Sequence, residues 1–176
     1  MNIILTVPHA IAINNQRCKE HRYCDSLAID AANIIQKTFV QHGIPSIILL
    51  GDINRSKIDL NRLESRNKTV FRDILRKSIN NKSIVIDIHS FPNTEQWGFA
   101  DPQKAIFLYD ADIQKSPLAQ IISKSNKLLK GINNDIQDEM HELGLESILL
   151  EVNENYLEYV SVVATQLVSA IKNTTF

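Results

Sequence analysis

The sequence predicts an α/β fold, a three-layer αβα arrangement around a mostly parallel or mixed central sheet. Two observations lead to this prediction. Short apolar segments of strand length alternate with longer amphipathic segments of helical length. The strand segments are almost continuously apolar, which is typical of a sheet covered on both faces. Because no repeat or linker interrupts the 176 residues, we expect a single domain over residues 1–176.

Five strands are expected where β-branched and other apolar residues follow one another without interruption. They cover residues 2–7, 46–50, 83–88, 105–109 and 147–152. The first strand breaks at Pro8 and the second at Gly51, and both residue types commonly mark the end of a regular element.

Four helices are expected where apolar residues recur every three or four positions. They cover residues 23–41, 67–80, 117–130 and 156–172. The first helix should stop at Gly43, because Pro45 cannot continue a helix.

The composition limits the classes of function. A formal net charge of -1 argues against a protein that grips nucleic-acid phosphates. The apolar runs are too short to span a bilayer, and the first residues do not resemble a secretory signal. We therefore expect a cytoplasmic protein without nucleic-acid or membrane partners, in which Cys18 and Cys24 are free thiols.

Three predicted strands each have, at the carboxyl end, a residue that can bind a metal or transfer a proton. These residues are His9 at the first strand, His89 at the third and Glu151 at the last. The carboxyl ends of parallel strands meet at one sheet edge, where ligands collect in α/β folds. Imidazole and carboxylate groups suit zinc, and a catalytic zinc site takes three protein ligands with one position open. The sequence therefore predicts a single catalytic zinc ion with His9 and His89 as ligands.

The third zinc ligand is expected at the start of the first long helix. Glu20, His21 and Asp25 are all available there. Asp25 is preferred, because two imidazoles and a carboxylate are a familiar catalytic zinc set. The alternative for Asp25 is a purely electrostatic role at the helix N-terminus.

Two further carboxylates accompany the predicted zinc site. Asp87 lies two positions before His89 on the same face of its strand, so it should either orient the His89 ring or cap a neighbouring loop. Glu151 directly follows the apolar residues 148–150 at the end of its strand, and we interpret it as a general base that later passes its proton to a leaving nitrogen. The predicted chemistry is hydrolysis of an amide or ester.

An arginine-rich segment from residue 54 to 66 predicts a place for an anionic substrate. Arg55 and Arg62 flank Asp59 and Asn61, and a guanidinium can bind a carboxylate through two hydrogen bonds. A solvated basic face is the alternative for both arginines. It is the preferred interpretation of three others: Arg66, Arg72 and Arg76.

The motifs VPHA, EHRYCDSLA, RSKIDLNR, IDIHS and EVNENYL occur in this order across most of the chain. In combination they resemble the N-formylglutamate amidohydrolases, which belong with the zinc carboxypeptidase-like hydrolases. The resemblance implies a phosphorylase/hydrolase-like zinc-hydrolase domain. It also implies that His9 and His89 bind zinc with a residue from segment 20–25, and that Glu151 is the catalytic carboxylate.

The resemblance further implies how substrate is held. Asn61 and Arg62 would grip a substrate carboxylate, and Arg55 would assist at the carbonyl oxygen. Two positions depart from the family pattern: Glu154 stands where an arginine is common, and His21 where an acid is expected. The expected function is zinc-dependent cleavage of an amide bond in an N-acyl amino acid or small peptide with a free carboxylate.

Two other functions fit the same residues. A peptidoglycan amidase or peptidase would use a zinc site of the same type. A relative that had lost the chemistry would bind a carboxylate ligand without consuming it.

Overall fold

The computed structural model describes residues 1–11, 24–91, 106–109, 118, 120, 127–129 and 134–173. Its strands are β1 (Asn2–Val7), β2 (Ser46–Leu50), β3 (Ser83–Phe91), β4 (Ile106–Tyr109), β5 (Lys127–Leu129) and β6 (Glu146–Asn153). Its α-helices are α1 (Ala28–Gln41), α2 (Val70–Ser78), α3 (Asp135–Glu142) and α4 (Val160–Asn173). Short 3-10 helices cover Leu63–Ser65 and Glu154–Tyr159.

The six strands form one mixed sheet in the order β2-β1-β3-β6-β4-β5. The four strands β2, β1, β3 and β6 are parallel to their neighbours, whereas β4 runs antiparallel to β6 and parallel to β5. Helices α1 and α4 pack on one face of the sheet, and α2 and α3 pack on the other. This arrangement confirms the predicted three-layer α/β class.

The two faces of the sheet are filled differently, because successive strand residues point to opposite sides. On β3, Ile84, Ile86 and Ile88 belong to the apolar core beneath α1 and α4. Val85 belongs to a smaller core beneath α2 and α3. Asp87 alternates onto the same side as Val85 and lies beyond it toward the carboxyl end of the strand. The polar residues therefore occupy one end of one face.

Most predicted strands are confirmed with small changes in their limits. Segments 2–7 and 46–50 are strands as predicted, and β3 continues to Phe91. Strand β6 extends one residue beyond each end of the predicted segment. Strand β4 covers the predicted segment from Ile106 onward, and Ala105 lies outside the described residues.

The helix predicted over 117–130 is wrong at its carboxyl end. Leu118 and Gln120 are helical, but Lys127–Leu129 is β5 and pairs with β4. A short apolar segment carries no local signal that separates helix from strand, and here the pairing partner decides. The prediction for 156–172 is also shifted, because the α-helix there begins at Val160 after a 3-10 segment.

Helix α3 is absent from the sequence-based prediction. Its residues are mostly polar, and several of them are buried by pairing rather than by apolar packing, including Asp135, Gln137 and Glu139. Only Ile136 and Met140 of this helix join the apolar core, so its apolar repeat of helical period is too short to predict the helix. Among the described helices, none has the length and apolar content needed to cross a bilayer.

The prediction of free thiols is wrong for Cys24, which is disulfide-bonded. Cys24 is buried immediately before Asp25. Cys18 lies outside the described residues.

Candidate metal centre

Three side chains from distant parts of the chain meet at the carboxyl ends of β1 and β3. Asp25 Oδ2 lies 3.2 Å from His9 Nδ1 and 2.7 Å from His89 Nδ1. One ligand atom from each residue lies within 4.8 Å of the other two, and all three side chains are buried. The two imidazole rings meet edge to face, with centroids 4.8 Å apart.

The backbone holds His9 and Asp25 in this arrangement. Strand β1 ends at Val7, whose carbonyl accepts from the Gly51 N–H. A Cβ atom at Gly51 would lie 2.0 Å from the Pro8 carbonyl oxygen, so only glycine permits this close approach. The Asp25 N–H donates to the His9 carbonyl at 3.1 Å, which joins the two candidate ligands directly.

Each imidazole turns Nδ1 toward the centre and Nε2 toward a second carboxylate. His9 Nε2 lies 2.8 Å from Asp59 Oδ1, and His89 Nε2 lies 3.0 Å from Asp87 Oδ2. Metal-binding histidines usually have such a partner, which sets the tautomer and the orientation of the ring. Asp87 thus contacts His89, as expected if it orients the His89 ring. Asp59 was present in the sequence pattern, but no local signal pairs it with a histidine fifty positions away.

The neighbouring charges in the cluster favour the ionised forms of its three aspartates and of His89. Burial alone would raise the pKa of Asp25, but the neighbouring His89 and His9 outweigh it and lower that pKa below its usual range. The pKa values of Asp87 and Asp59 are lowered in the same way, by the neighbouring His89 and His9 respectively. Burial would lower the pKa of His89, but attraction to Asp87 and Asp25 raises it.

The donor set fits a zinc ion. Two imidazole nitrogens and one carboxylate oxygen converge on a buried point, and these are zinc's preferred ligand types in catalytic sites. Carboxylates held as anions add negative charge where a cation would bind. Of the alternatives for the third ligand, Glu20 and His21 lie outside the described residues.

Glu151 stands beside His89 on the neighbouring strand. The two residues are directly paired across β3 and β6, and side chains paired in this way share a face of the sheet. Burial, opposed by attraction to His89, raises the pKa of the half-buried Glu151 to about 7. A carboxyl group with such a pKa can both accept and release a proton near neutral pH.

The arginine-rich segment also reaches the centre, through Asp59. Arg55 Nε donates to Asp59 Oδ2 at 3.1 Å, and Arg62 Nε lies 3.6 Å from the same oxygen. Their side chains are 30% and 39% exposed, so both reach solvent beside the candidate metal centre. Their predicted roles toward a substrate remain predictions.

Asn61 is more deeply placed than the two arginines. Its side chain is buried, and Nδ2 donates to Asp87 Oδ2 at 3.2 Å and lies 2.6 Å from His89 Nε2. These contacts favour a part in holding His89. The predicted binding of a substrate carboxylate by Asn61 remains a prediction.

The interpretation of the later arginines as a solvated face is wrong. Arg72 is completely buried and pairs with Asp135 and Glu139, while its other donor groups reach the backbone. Arg66 pairs with Asp135 and Glu142, and Arg76 pairs with Glu139. The three arginines join α2 and the segment before it to α3.

Comparisons with known proteins identify the fold. No family model matches the chain, and no curated protein sequence matches it. Among solved structures, the catalytic domain of CwlV, an N-acetylmuramoyl-L-alanine amidase from Bacillus (Paenibacillus) polymyxa var. colistinus, is similar at 13% identity and a TM-score of 0.58. That match covers 97% of this chain and 96% of the other.

Two further solved structures share the fold. N-formylglutamate amidohydrolase from Ralstonia eutropha JMP134 is 10% identical, with a TM-score of 0.57 over 96% of this chain and 90% of the other. The gene product Atu2144 from Agrobacterium tumefaciens is 14% identical, with a TM-score of 0.60 over 97% and 88%. The fold that the motif resemblance implies is therefore confirmed, and the chain has the architecture of amidases and amidohydrolases.

Proposed function

We propose that the protein is a zinc-dependent amidase that cleaves an amide bond of an N-acyl amino acid or small peptide with a free carboxylate. One observation carries the proposal: the ligand atoms of His9, Asp25 and His89 lie within 4.8 Å of one another, and His89 is paired with Glu151 across β3 and β6. The shared fold of an N-formylglutamate amidohydrolase supports the same class of reaction.

The zinc ion would be held by His9 Nδ1, His89 Nδ1 and an oxygen of Asp25. When bound, zinc would polarise the scissile carbonyl group and lower the pKa of a water molecule to about 7. With Asp59 and Asp87 accepting from the Nε2 atoms of the two rings, both Nδ1 atoms would be unprotonated in the zinc-bound protein and able to bind the metal.

Glu151 would move the proton. It takes a proton from the attacking water as the carbon–oxygen bond forms, and it delivers that proton to the nitrogen as the carbon–nitrogen bond breaks. In the metal-free protein the pKa of Glu151 is raised to about 7, so neither of its protonation states is strongly preferred there at neutral pH.

Arg62 and Arg55 would bind the substrate. Both guanidinium groups are partly exposed beside Asp59, which itself contacts His9. A carboxylate held by Arg62 would therefore lie close to the metal centre, and Arg55 would face the carbonyl oxygen. Glu154 favours a substrate without a second negative charge near the end of β6, because like charges repel.

Zinc content per chain tests the metal part of the proposal. The parent protein, purified without added metal, should contain close to stoichiometric zinc, and His89→Ala should contain little. Ile88→Val is the matched control, because Ile88 is the preceding residue and faces the apolar core on the other side. A parent protein that stays free of zinc after zinc is supplied would overturn the proposal.

A second function is favoured by two observations. The fold is shared with an N-acetylmuramoyl-L-alanine amidase, and Cys24 is disulfide-bonded, as is typical of oxidising compartments outside the cytosol. On this alternative the substrate is a peptide of the cell wall. Loss of turbidity from a purified cell-wall suspension supports it, whereas release of the acyl group from N-acyl amino acids with no effect on the suspension supports the first proposal.

A further inference from the structure

The carboxylate behind His89 is held by three other side chains. Asp87 is completely buried, and its Oδ1 accepts from Thr6 Oγ1 at 2.6 Å. Its Oδ2, the atom that contacts His89 Nε2, also accepts from Asn61 Nδ2 at 3.2 Å and from Asn134 Nδ2 at 2.6 Å. The position of this oxygen, and so the angle of the His89 ring, depends on these donors.

Asn134 differs from the other donors because its side-chain amide also caps the N-terminus of a helix. Its Oδ1 accepts from the backbone N–H groups of Ile136 and Gln137, at 2.9 and 3.2 Å, and so caps the N-terminus of α3. With the oxygen committed to the helix, the NH2 group must face Asp87. Asn134 is 2% exposed, so water does not compete for either half of the amide.

The helix that Asn134 caps is firmly anchored. The Asp135 N–H donates to the Asn61 carbonyl at 3.0 Å, and the Asp135 carboxylate pairs with Arg66 and with the buried Arg72. The start of α3 is thus a fixed support from which Asn134 reaches the metal centre.

We propose that Asn134 is a positioning residue for the metal centre. Its NH2 group holds Asp87 against His89 Nε2, so that the His89 ring presents Nδ1 to the metal, while its oxygen caps α3. The inference rests on the proposed function, because it concerns the zinc site. It assigns a role to a residue that does not contact the metal and that the sequence motifs do not include.

The test separates the two halves of the amide. Asn134→Ser retains an oxygen able to cap α3 but is too short to hold Asp87 as well. Asn134→Asp retains the cap and replaces the donor with a second carboxylate beside Asp87. Thr69→Ala is the matched control, because it removes the cap of α2, where Thr69 accepts from the Arg72 N–H at a site away from the metal centre.

Zinc affinity is measured by competition with a chelator, and the visible spectrum of the cobalt-substituted protein reports the geometry of the ligands. We expect Asn134→Ser to bind zinc about 10- to 100-fold more weakly and to change the cobalt spectrum. Asn134→Asp should weaken binding at least as much. Thr69→Ala should lower the thermal midpoint and leave zinc affinity and the spectrum unchanged.

Zinc affinity and a cobalt spectrum equal to those of the parent in a folded Asn134→Ser protein would overturn the inference and leave the proposed function standing. If Asn134→Asp does not fold, Asn134→Ser alone decides. Failure of the parent itself to bind zinc would overturn the proposed function and the inference together.

Discussion

The two faces of the sheet are built from the same strands but follow different rules. Beneath α1 and α4, β3 contributes Ile84, Ile86 and Ile88 to an apolar core along the full strand. On the opposite face, β3 contributes Val85, then Asp87 and His89 toward the carboxyl end. The difference shows how one strand can belong to the core on one side and carry a reactive site on the other.

The faces also differ in what stabilises them. The apolar side gains from removing hydrocarbon from water, roughly 25 cal/mol per Å². The polar side is stable only while each buried charge and amide has a partner, since an unpaired one costs about 1–3 kcal/mol or more. Substitutions on the apolar side should therefore change stability alone, and those on the polar side should change function or pH dependence as well.

Substitutions at two consecutive residues of β6 should differ most in their effect on turnover. Glu151→Gln should lower turnover about 100- to 10,000-fold while zinc content is unchanged, because the proton carrier is lost and the ligands remain. Val152→Ala should retain turnover and lose stability, because Val152 lies in the apolar core. Steady-state kinetics and zinc analysis of both variants check this. Full turnover in Glu151→Gln would contradict the role of Glu151.

Within the layer formed by α2 and α3, the cost of losing a charge should depend on how deeply the arginine is buried. Arg72→Met should lower the free energy of unfolding by about 3–5 kcal/mol, because Asp135 and Glu139 would keep buried charges without their partner. Arg76→Met, which also loses a contact with Glu139 but from a partly exposed position, should cost about 1 kcal/mol or less. Urea unfolding measures both. Equal losses would mean that burial of the arginine does not matter.

The pH dependence of stability should also be specific to the polar face. In the folded metal-free protein the pKa of Glu151 is raised from 4.5 to about 7, so folding favours the protonated form of Glu151. The stability that this group contributes is present below about pH 4.5 and is lost as the pH rises to about 7. Glu151→Gln should therefore gain about 3 kcal/mol relative to the parent as the pH rises through this range, since one pKa unit corresponds to about 1.4 kcal/mol. Parallel curves of unfolding free energy against pH for the two proteins would contradict the raised pKa.

The smallest expected effect is on the apolar face. Ile86→Val removes one methylene group from a completely buried side chain and should cost about 0.5–1.5 kcal/mol. Zinc affinity and turnover should equal those of the parent, although the next residue, Asp87, contacts His89. A change in zinc affinity would show that the two faces are coupled through the strand.

Elements whose pattern is local could be predicted from the sequence. Continuous apolar runs identified β1, β2, β3 and β6, and the helical repeat identified most of α1. Because parallel strands end at a common edge, the order of these elements was enough to predict that His9, His89 and Glu151 lie at one edge of the sheet, but not which strands are neighbours. The nearness of Asp25 to the two histidines also agrees with the prediction, since Asp25 lies shortly before the helix that follows β1.

Features that depend on a partner far along the chain became visible only in the folded protein. Arg72 is buried because Glu139 lies opposite it, 67 positions away, and α3 buries polar residues beside Ile136 and Met140 for the same reason. Strand β5 exists because it pairs with β4, and Asp59 and Asn134 reach the centre only through folding. A local pattern encodes which side of a segment is apolar, but not which distant charge or donor will meet its polar side.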